Sequence, residues 1–205
     1  MALLRRCNLP VPGMRTTRRR LLTSLLGASL ALPALTWAST SLPPHDGLWV
    51  HVDTDRSMAT VLRGTKVVEQ FEHVAFGRGG VSPLRLKGRD KTPLGEFRIT
   101  RVNQNSPFHI FLGIDYPRLE HIDRARKRGL ISDAEYKRSI DHGARHGEFP
   151  QDGPLGGYIG FHGIGDGDPD VHDNFHWTQG CIALTNDQIE TFESLVAVGT
   201  PVRIE

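Results

Sequence analysis

Short hydrophobic runs separated by glycine or proline make up most of the chain from residue 48 onward. Apolar residues at 48, 50 and 52 alternate with polar or aromatic ones, as in a strand with one buried face. The runs at 58–63 and 66–74, joined by a Gly-Thr pair, predict a hairpin. Short strands of this kind favour an antiparallel β-sandwich or barrel over a parallel sheet. Further strands are predicted at 95–102, 108–114, 157–162 and 201–204.

The apolar spacing changes in the middle of the chain, where it predicts a helical hairpin. Apolar residues recur every three positions from Leu119, while Pro117 suits the first turn and Gly129 the end of a helix. The sequence SDAE at 132–135 has the form of a capping box, which predicts a second helix toward Ile140. A loop rich in glycine, aspartate and proline is expected at 143–157.

The first 38 residues have the composition of an export signal. They contain six arginines and no acidic residue, then an apolar run at 21–35 and the small-x-small sequence TWA. The sequence TRRRLL at 17–22 resembles a twin-arginine signal. We therefore predict a signal peptide at 1–38, a short tail at 39–46 and one domain at 47–205. An uncleaved N-terminal anchor is the alternative.

The net charge changes sign when the predicted signal is removed. Without its six arginines, 19 of the 25 basic residues remain against 23 acidic ones, which gives a net charge of −4 instead of +2. The basicity of the whole chain therefore belongs to the signal, and the domain has no charge excess that would favour nucleic acid. We expect an exported protein, with no nucleic-acid partner and no stable membrane span after cleavage.

Cys181 is the single cysteine of the predicted exported domain, so it has no partner for an internal disulfide. A thiol attacks as the thiolate, which needs a base or a positive neighbour. His162 ends an apolar strand, and the following loop can return Cys181 to it, while the carbonyl of Gly163 could orient the imidazole. The amides of Gly180 and Cys181 could form an oxyanion hole. A buried cysteine and a structural histidine are the alternative.

Two histidine pairs and one acidic loop raise the question of a metal site. The pairs at 142–146 and 172–176 have the H-x3-H spacing of zinc ligands, but neither lies in a clear helical or Cys-rich context. The sequence DGDPD at 166–170 hints at calcium, but an EF-hand loop would need glycine at Val171 and glutamate at Trp177. We therefore expect loop histidines in solvent and no metal.

Four segments follow one another in an informative order. The sequence YIGFHG at 158–163 precedes TQGCIALTN at 178–186. Two further segments lie upstream. They are GRDKTPLGEFRI at 88–99 and the pair made of SPFH at 106–109 and DYP at 115–117. Together they resemble the YkuD-type L,D-transpeptidases of bacterial cell walls, which have a His-Gly at a strand end, then Ser/Thr-x-Gly-Cys, and a K-T-P-x-G-x-F/Y-x-I stretch. The resemblance covers nearly all of 48–205.

The resemblance implies a mainly β catalytic domain with a small helical hairpin insertion and a C-terminal helix. Cys181 would be the nucleophile, His162 the base and then the acid, and the Gly163 carbonyl the orienting group. The amides of Gly180 and Cys181 would form the oxyanion hole. The implied partner is a peptidoglycan stem tetrapeptide, which loses D-alanine before its acyl group passes to an amine of another stem or of an anchored cell-wall protein. The resemblance implies no cofactor and a location in the periplasm or cell wall.

Two residues depart from the family pattern. Many members carry His two residues before the cysteine and Arg two residues after it, where this chain has Gln179 and Ala183. His162 is then the only base close in sequence, and the motif lacks a guanidinium to hold a stem carboxylate.

Three functions stay open: transpeptidation, hydrolysis as an L,D-carboxypeptidase or amidase, and non-catalytic wall binding. The free thiol argues against the last. The helical hairpin and the stretch up to Gly157 enter the chain just before the strand of His162. They are expected either to lie over or beside the site or to be a surface decoration.

Overall fold

The computed structural model describes residues 47–205, which form a mainly β domain with four helices. The mainly β class is thereby confirmed. Its strands are β1 Leu48–Asp53, β2 Met58–Arg63, β3 Lys66–Phe71, β4 Val81–Ser82, β5 Thr92–Pro93, β6 Gly95–Ser106, β7 His109–Ile114, β8 Gly160–His162, β9 Ile182–Ala183 and β10 Pro201–Ile204. The large sheet has the order β3-β2-β1-β10-β6-β7-β8-β9, and β4 pairs with β5 in a small one.

The large sheet is mixed, because β1 pairs in parallel with β10 and β8 in parallel with β9. The sequence favours an antiparallel arrangement over a parallel sheet, and these two pairs are the exceptions to it in the large sheet. The strand β10 comes from the far end of the chain and inserts between β1 and β6, with Val50 opposite Val202. The β8–β9 connection is long enough for the crossover that a parallel pair requires. Such pairings depend on distant segments, which local alternation does not identify.

The two edges of the large sheet approach each other. The chain just beyond the edge strand β3 forms an isolated bridge from Ala75 to Ala183, which lies in the opposite edge strand β9. Only a few residues separate Ala75 from the end of β3, so the sheet curves back on itself. This curvature agrees with the expected sandwich or barrel.

Four helices occur in the described residues: α1 Leu119–Lys127, α2 Asp133–His146, α3 Pro169–Asn174 and α4 Asn186–Leu195. The capping box that opens α2 is confirmed, because Glu135 N donates to Ser132 Oγ and the Glu135 carboxylate accepts from Ser132 N. Pro117 precedes α1 instead of forming its first turn, since α1 begins two residues later. The helix α2 also extends to His146, so the loop predicted from 143 begins later, at the left-handed Gly147.

The helix α4 confirms the expected C-terminal helix and covers the strand β8. Its Phe192 ring lies 4.7 Å from the ring of Phe161 in β8 and 5.8 Å from that of Phe71 in β3. All three side chains are buried. Burying a phenylalanine stabilises a fold by about 1.5–3 kcal/mol. This contact therefore holds the strand that ends at His162.

The predicted signal peptide at 1–38 and tail at 39–46 lie outside the described residues. Within 47–205, no helix has both the length and the apolar character needed to cross a membrane. The described chain thus begins one residue before β1.

Candidate functional site

Neighbouring strands bring His162 and Cys181 to one face of the sheet. Phe161 of β8 lies opposite Ile182 of β9, and His162 lies opposite Ala183. If this register is extended by one residue toward the start of each strand, Cys181 lies opposite Gly160. Side chains two positions apart on a strand point to the same face, so the side chains of Cys181 and His162 share a face. The parallel pairing of two distant segments therefore brings together the predicted nucleophile and the predicted base.

His162 is buried and held in one orientation. Its Nδ1 lies 2.6 Å from the carbonyl oxygen of Gly163, so Nδ1 donates and Nε2 keeps its lone pair. The rings of Phe108 and Trp177 lie 4.6 Å and 5.7 Å from the imidazole. Burial lowers the pKa of His162, the Gly163 carbonyl opposes this shift, and nearby His172 adds to it. The imidazole is therefore neutral at neutral pH and can accept a proton.

Cys181 is a free, half-buried cysteine. Its Sγ donates to the carbonyl oxygen of Tyr158 at 3.4 Å. Within residues 47–205, no hydrogen bond joins this thiol to His162. Burial raises the pKa of Cys181 to about 11, while a backbone hydrogen bond at Gly160 and two arginines oppose the shift. The thiol is therefore protonated at rest, and its activation requires a base.

The turn before Cys181 is built around Gly180 and Thr178. Gly180 has a φ of +121°, and a Cβ at this position would lie 2.5 Å from the carbonyl oxygen of Lys91. The Thr178 hydroxyl donates to the Cys181 carbonyl at 2.8 Å and accepts from the Gly180 amide at 3.1 Å. Only glycine fits this backbone. The Gly180 amide, predicted to bind an oxyanion, is thus already hydrogen bonded within the turn.

Asn186 supports the segment that follows His162. Its Oδ1 accepts from the amide of Gly165, and its Nδ2 donates to the carbonyl of the same residue. A Cβ at Gly163 would lie 2.6 Å from Asn186 Oδ1, so Gly163 allows this close approach. The Asn186 side chain, at the start of α4, therefore helps to fix the Gly163 carbonyl that orients His162.

Two arginines that the sequence analysis did not single out lie near Cys181. The positive charges of Arg85 and Arg101 both favour the thiolate form of Cys181. Arg101 follows Phe97 and Ile99 at the inward-facing positions of β6, which is the sequence signal that could have identified it. Arg85 lies in a loop without regular spacing, so no comparable signal marks it.

A cleft of about 910 Å³ contains the site. Cys181 and His162 line it together with Arg85. The stretch between α2 and β8 supplies one wall, from Gln151 to Ile159, whereas neither α1 nor α2 contributes a lining residue. The helical hairpin and the stretch up to Gly157 were expected over or beside the site. The glycine-rich stretch lies there, whereas the helices α1 and α2 do not line the cleft.

The two histidine pairs differ from their predicted settings. His142 and His146 lie on α2, with ring centroids 4.4 Å apart, so the first pair is helical and not in a loop. His172 is buried and its Nδ1 accepts from the Trp177 indole at 3.4 Å. Phe76 N donates to His176 Nδ1. In the part of the chain that the structure describes, no group of three or more His, Cys, Asp or Glu side chains is arranged to hold a metal ion.

Comparison with known proteins gives one family and several similar folds. The family model YkuD, the L,D-transpeptidase catalytic domain, matches residues 47–204. A mutant of the helical cell shape determining protein Pgp2 from Campylobacter jejuni is 20% identical with a TM-score of 0.53, covering 78% of this chain and 47% of that one. Unmutated Pgp2 gives a TM-score of 0.52 with the same identity and coverage.

The structure of Bdellovibrio bacteriovorus Bd1075 is 18% identical with a TM-score of 0.48, covering 77% of this chain and 47% of that one. No curated protein sequence matches the chain. The likeness to Pgp2 supports the fold, and this chain spans about half the length of these structural neighbours.

Proposed function

The chain belongs to the YkuD family of L,D-transpeptidase catalytic domains, and from this membership we propose that it is a cysteine-dependent peptidoglycan L,D-transpeptidase. The proposed donor is a stem tetrapeptide. The proposed acceptor is an amine of a neighbouring stem or of an anchored cell-wall protein. The main support is that Cys181 and His162 line one cleft on one face of adjacent strands, with His162 oriented by the Gly163 carbonyl.

In the proposed first step, His162 Nε2 takes the proton of the Cys181 thiol as sulfur bonds to the carbonyl carbon of the third stem residue. The carbonyl electron pair moves to oxygen, toward the amide of Cys181. The amide of Gly180 can join it only by leaving the Thr178 hydroxyl. Collapse breaks the C–N bond to D-alanine, whose nitrogen receives the proton from His162. A thioester on Cys181 remains.

In the second step, the acceptor amine attacks this thioester. His162 takes a proton from the amine, the C–S bond breaks, and the proton passes to sulfur, which regenerates the thiol. The raised pKa of Cys181 and the lowered pKa of His162 favour a neutral resting pair. We therefore propose that the thiolate forms during attack and not beforehand. The Cys181 side chain must turn from the Tyr158 carbonyl toward His162 to react.

The proposed place of action is the periplasm or cell wall, where the substrate is. Residues 1–38 would act as the export signal and 39–46 as a tail before the catalytic domain at 47–205. The lack of a predicted cofactor fits a reaction in which a thiol, an imidazole and backbone amides supply the required groups.

Product analysis tests this proposal. Residues 39–205 are incubated with purified stem tetrapeptide, and the products are separated and weighed by mass spectrometry. Free D-alanine with a cross-linked dimer indicates transfer, whereas free D-alanine with tripeptide alone indicates the L,D-carboxypeptidase alternative. Intact sacculi carrying linked protein test the amidase alternative in the same way. Unchanged substrates in all assays, with a folded protein, would contradict the enzymatic proposal and favour a wall-binding module.

A further inference from the structure

Arg85 is a buried cation without an acidic partner. Its side chain lies in the cleft wall with only 5% of the residue exposed. Its Nη2 donates to the carbonyl of Gln179 at 3.3 Å. Its Nε and Nη1 have no hydrogen-bond partner among residues 47–205, and no acid in that range forms an ion pair with it. Burial of an unpaired charge is costly, so a guanidinium in this position needs an anion nearby to offset that cost.

The surroundings of Arg85 fit a guanidinium group. The Tyr116 hydroxyl donates to the Arg85 carbonyl at 3.1 Å, and the guanidinium carbon lies 5.8 Å from the Tyr116 ring centroid. Gly156 provides room, because a Cβ there would lie 3.2 Å from Arg85 Nη1. The backbone, an aromatic ring and a glycine thus hold the cation in a defined place beside the Gln179 carbonyl.

The other charged groups nearby do not neutralise Arg85. The Asp90 carboxylate is 2.7 Å from Arg78 and is therefore already paired. Burial raises the pKa of Tyr116, which keeps its hydroxyl neutral. Cys181 is the remaining group close to Arg85 that becomes an anion during the proposed reaction. The titratable and charged groups that face Arg85, Cys181 or their common cleft are Tyr116, Tyr158, Asp90, Arg78, Lys87, Asp152, Arg101 and His162.

We propose that Arg85 is a positioning residue for Cys181, which holds the Gln179 carbonyl of the nucleophile turn and supplies the positive charge against which the thiolate forms. The motif has Ala183 where many members have arginine. Arg85 brings a guanidinium to the nucleophile from a distant loop instead. The inference deepens the proposed function and rests on it for its role in catalysis, but the ionisation of Cys181 can be measured without any substrate.

The test uses alkylation of the single thiol in residues 39–205. The rate of modification by iodoacetamide is followed by intact mass from about pH 7.5 to about pH 9.5, where it rises with the thiolate fraction. We expect Arg85→Met to slow alkylation by about tenfold at each pH, which corresponds to a shift of about one pH unit. Arg85→Lys should restore most of the rate because the charge returns. Equal rates in the wild type and Arg85→Met would overturn the proposal.

A second readout separates charge from packing. Iodoacetate is anionic and iodoacetamide is neutral. The rate with iodoacetate divided by the rate with iodoacetamide therefore rises with the positive charge near the thiol. This ratio should fall in Arg85→Met and stay at the wild-type value in Arg124→Met, which removes a half-buried arginine that donates to the nearby Pro83 carbonyl. An equal fall in both variants, or none in Arg85→Met, would contradict the proposal.

If Arg85→Met does not fold, Arg85→Gln takes its place, because glutamine keeps a hydrogen-bond donor without the charge. The alkylation rate and the rate ratio expected for Arg85→Met then apply to Arg85→Gln. The result is also separable from that of the proposed function. Slower alkylation of Arg85→Met or Arg85→Gln, in a protein that releases no D-alanine, supports the role of Arg85 in ionising the thiol and contradicts the enzyme proposal. Release of D-alanine by the wild type, with the same alkylation rate in Arg85→Met as in the wild type, supports the enzyme proposal and contradicts the role of Arg85.

Discussion

The side-chain amide of Asn186 binds Gly165 through two hydrogen bonds, each 2.9 Å long. Gly165 lies two residues after Gly163, whose carbonyl accepts from His162 Nδ1. The first residue of α4 is thereby connected through a short backbone segment to the orientation of the imidazole. A side chain that does not line the cleft can therefore determine whether His162 Nε2 points at the thiol.

We expect Asn186→Ala to lower the rate of D-alanine release by about tenfold or more, because a looser Gly163 carbonyl allows other imidazole orientations. Initial rates at saturating tetrapeptide measure this effect, which should appear in kcat more than in KM. Asp187→Asn, the next residue of the same helix, is the matched control and should retain the wild-type kcat. Equal kcat values in Asn186→Ala and the wild type would show that this residue does not position the base.

The second prediction concerns the close contact at Gly180. We expect Gly180→Ala to be far more destabilising than Gly199→Ala. Both glycines have a positive φ, of +121° and +96°, so alanine is strained at each. A Cβ at Gly180 meets the Lys91 carbonyl at 2.5 Å, whereas a Cβ at Gly199 meets nothing within 4 Å.

Urea unfolding of both variants measures this difference. The backbone strain alone costs on the order of 1–3 kcal/mol, which is the loss expected for Gly199→Ala. Gly180→Ala should lose more free energy of unfolding than Gly199→Ala, and it should also lose its activity. Similar free energies of unfolding for the two variants would mean that the turn before Cys181 adapts easily.

The third prediction concerns acid stability and His121. This histidine is buried, stacks on Phe97 at 5.7 Å and accepts from Arg118 N. Burial lowers its pKa to about 4, and the charges of Arg124 and Arg118 add to the shift. The unfolded chain therefore binds a proton here more readily than the folded one. The resulting stability is present above about pH 6.5 and is lost as the pH falls toward about 4.

Urea unfolding at about pH 7.5 and about pH 4.5 measures this loss. His121→Phe keeps an aromatic ring beside Phe97 and should reduce the loss of free energy between the two pH values by about 2.5 kcal/mol. His162 and His172, whose pKa values burial also lowers, leave a residual loss in the variant. The exposed control His146→Gln should behave like the wild type. The same loss in His121→Phe as in the wild type would contradict this assignment.

The motif residues and the mainly β class could be predicted from the sequence because both depend on local patterns. Alternation predicts the strands around Val50, and SDAE predicts the start of α2. Parallel pairing of β1 with β10 could not be predicted, since it joins opposite ends of the domain. The short helix α3 was missed, although Asp168 caps it and Pro169 begins it, because the loop composition outweighed these signals.

The candidate site shows the same division. His162, Gly163 and Cys181 follow from a motif, and the structure brings the first and last to one face of the sheet. The engagement of the Gly180 amide by Thr178 depends on the exact turn, which spacing does not define. Arg85 comes from a distant loop, so its position near Cys181 becomes visible only in three dimensions.

The most direct test of covalent catalysis by Cys181 is the mass of the protein during turnover. Residues 39–205 are mixed with stem tetrapeptide, quenched in acid within the first turnovers and weighed intact, with peptide mapping of the modified residue. The covalent mechanism predicts an added mass equal to the tetrapeptide less D-alanine, bound to Cys181, and neither adduct nor D-alanine release in Cys181→Ala. D-alanine release by folded Cys181→Ala at the wild-type rate would contradict it.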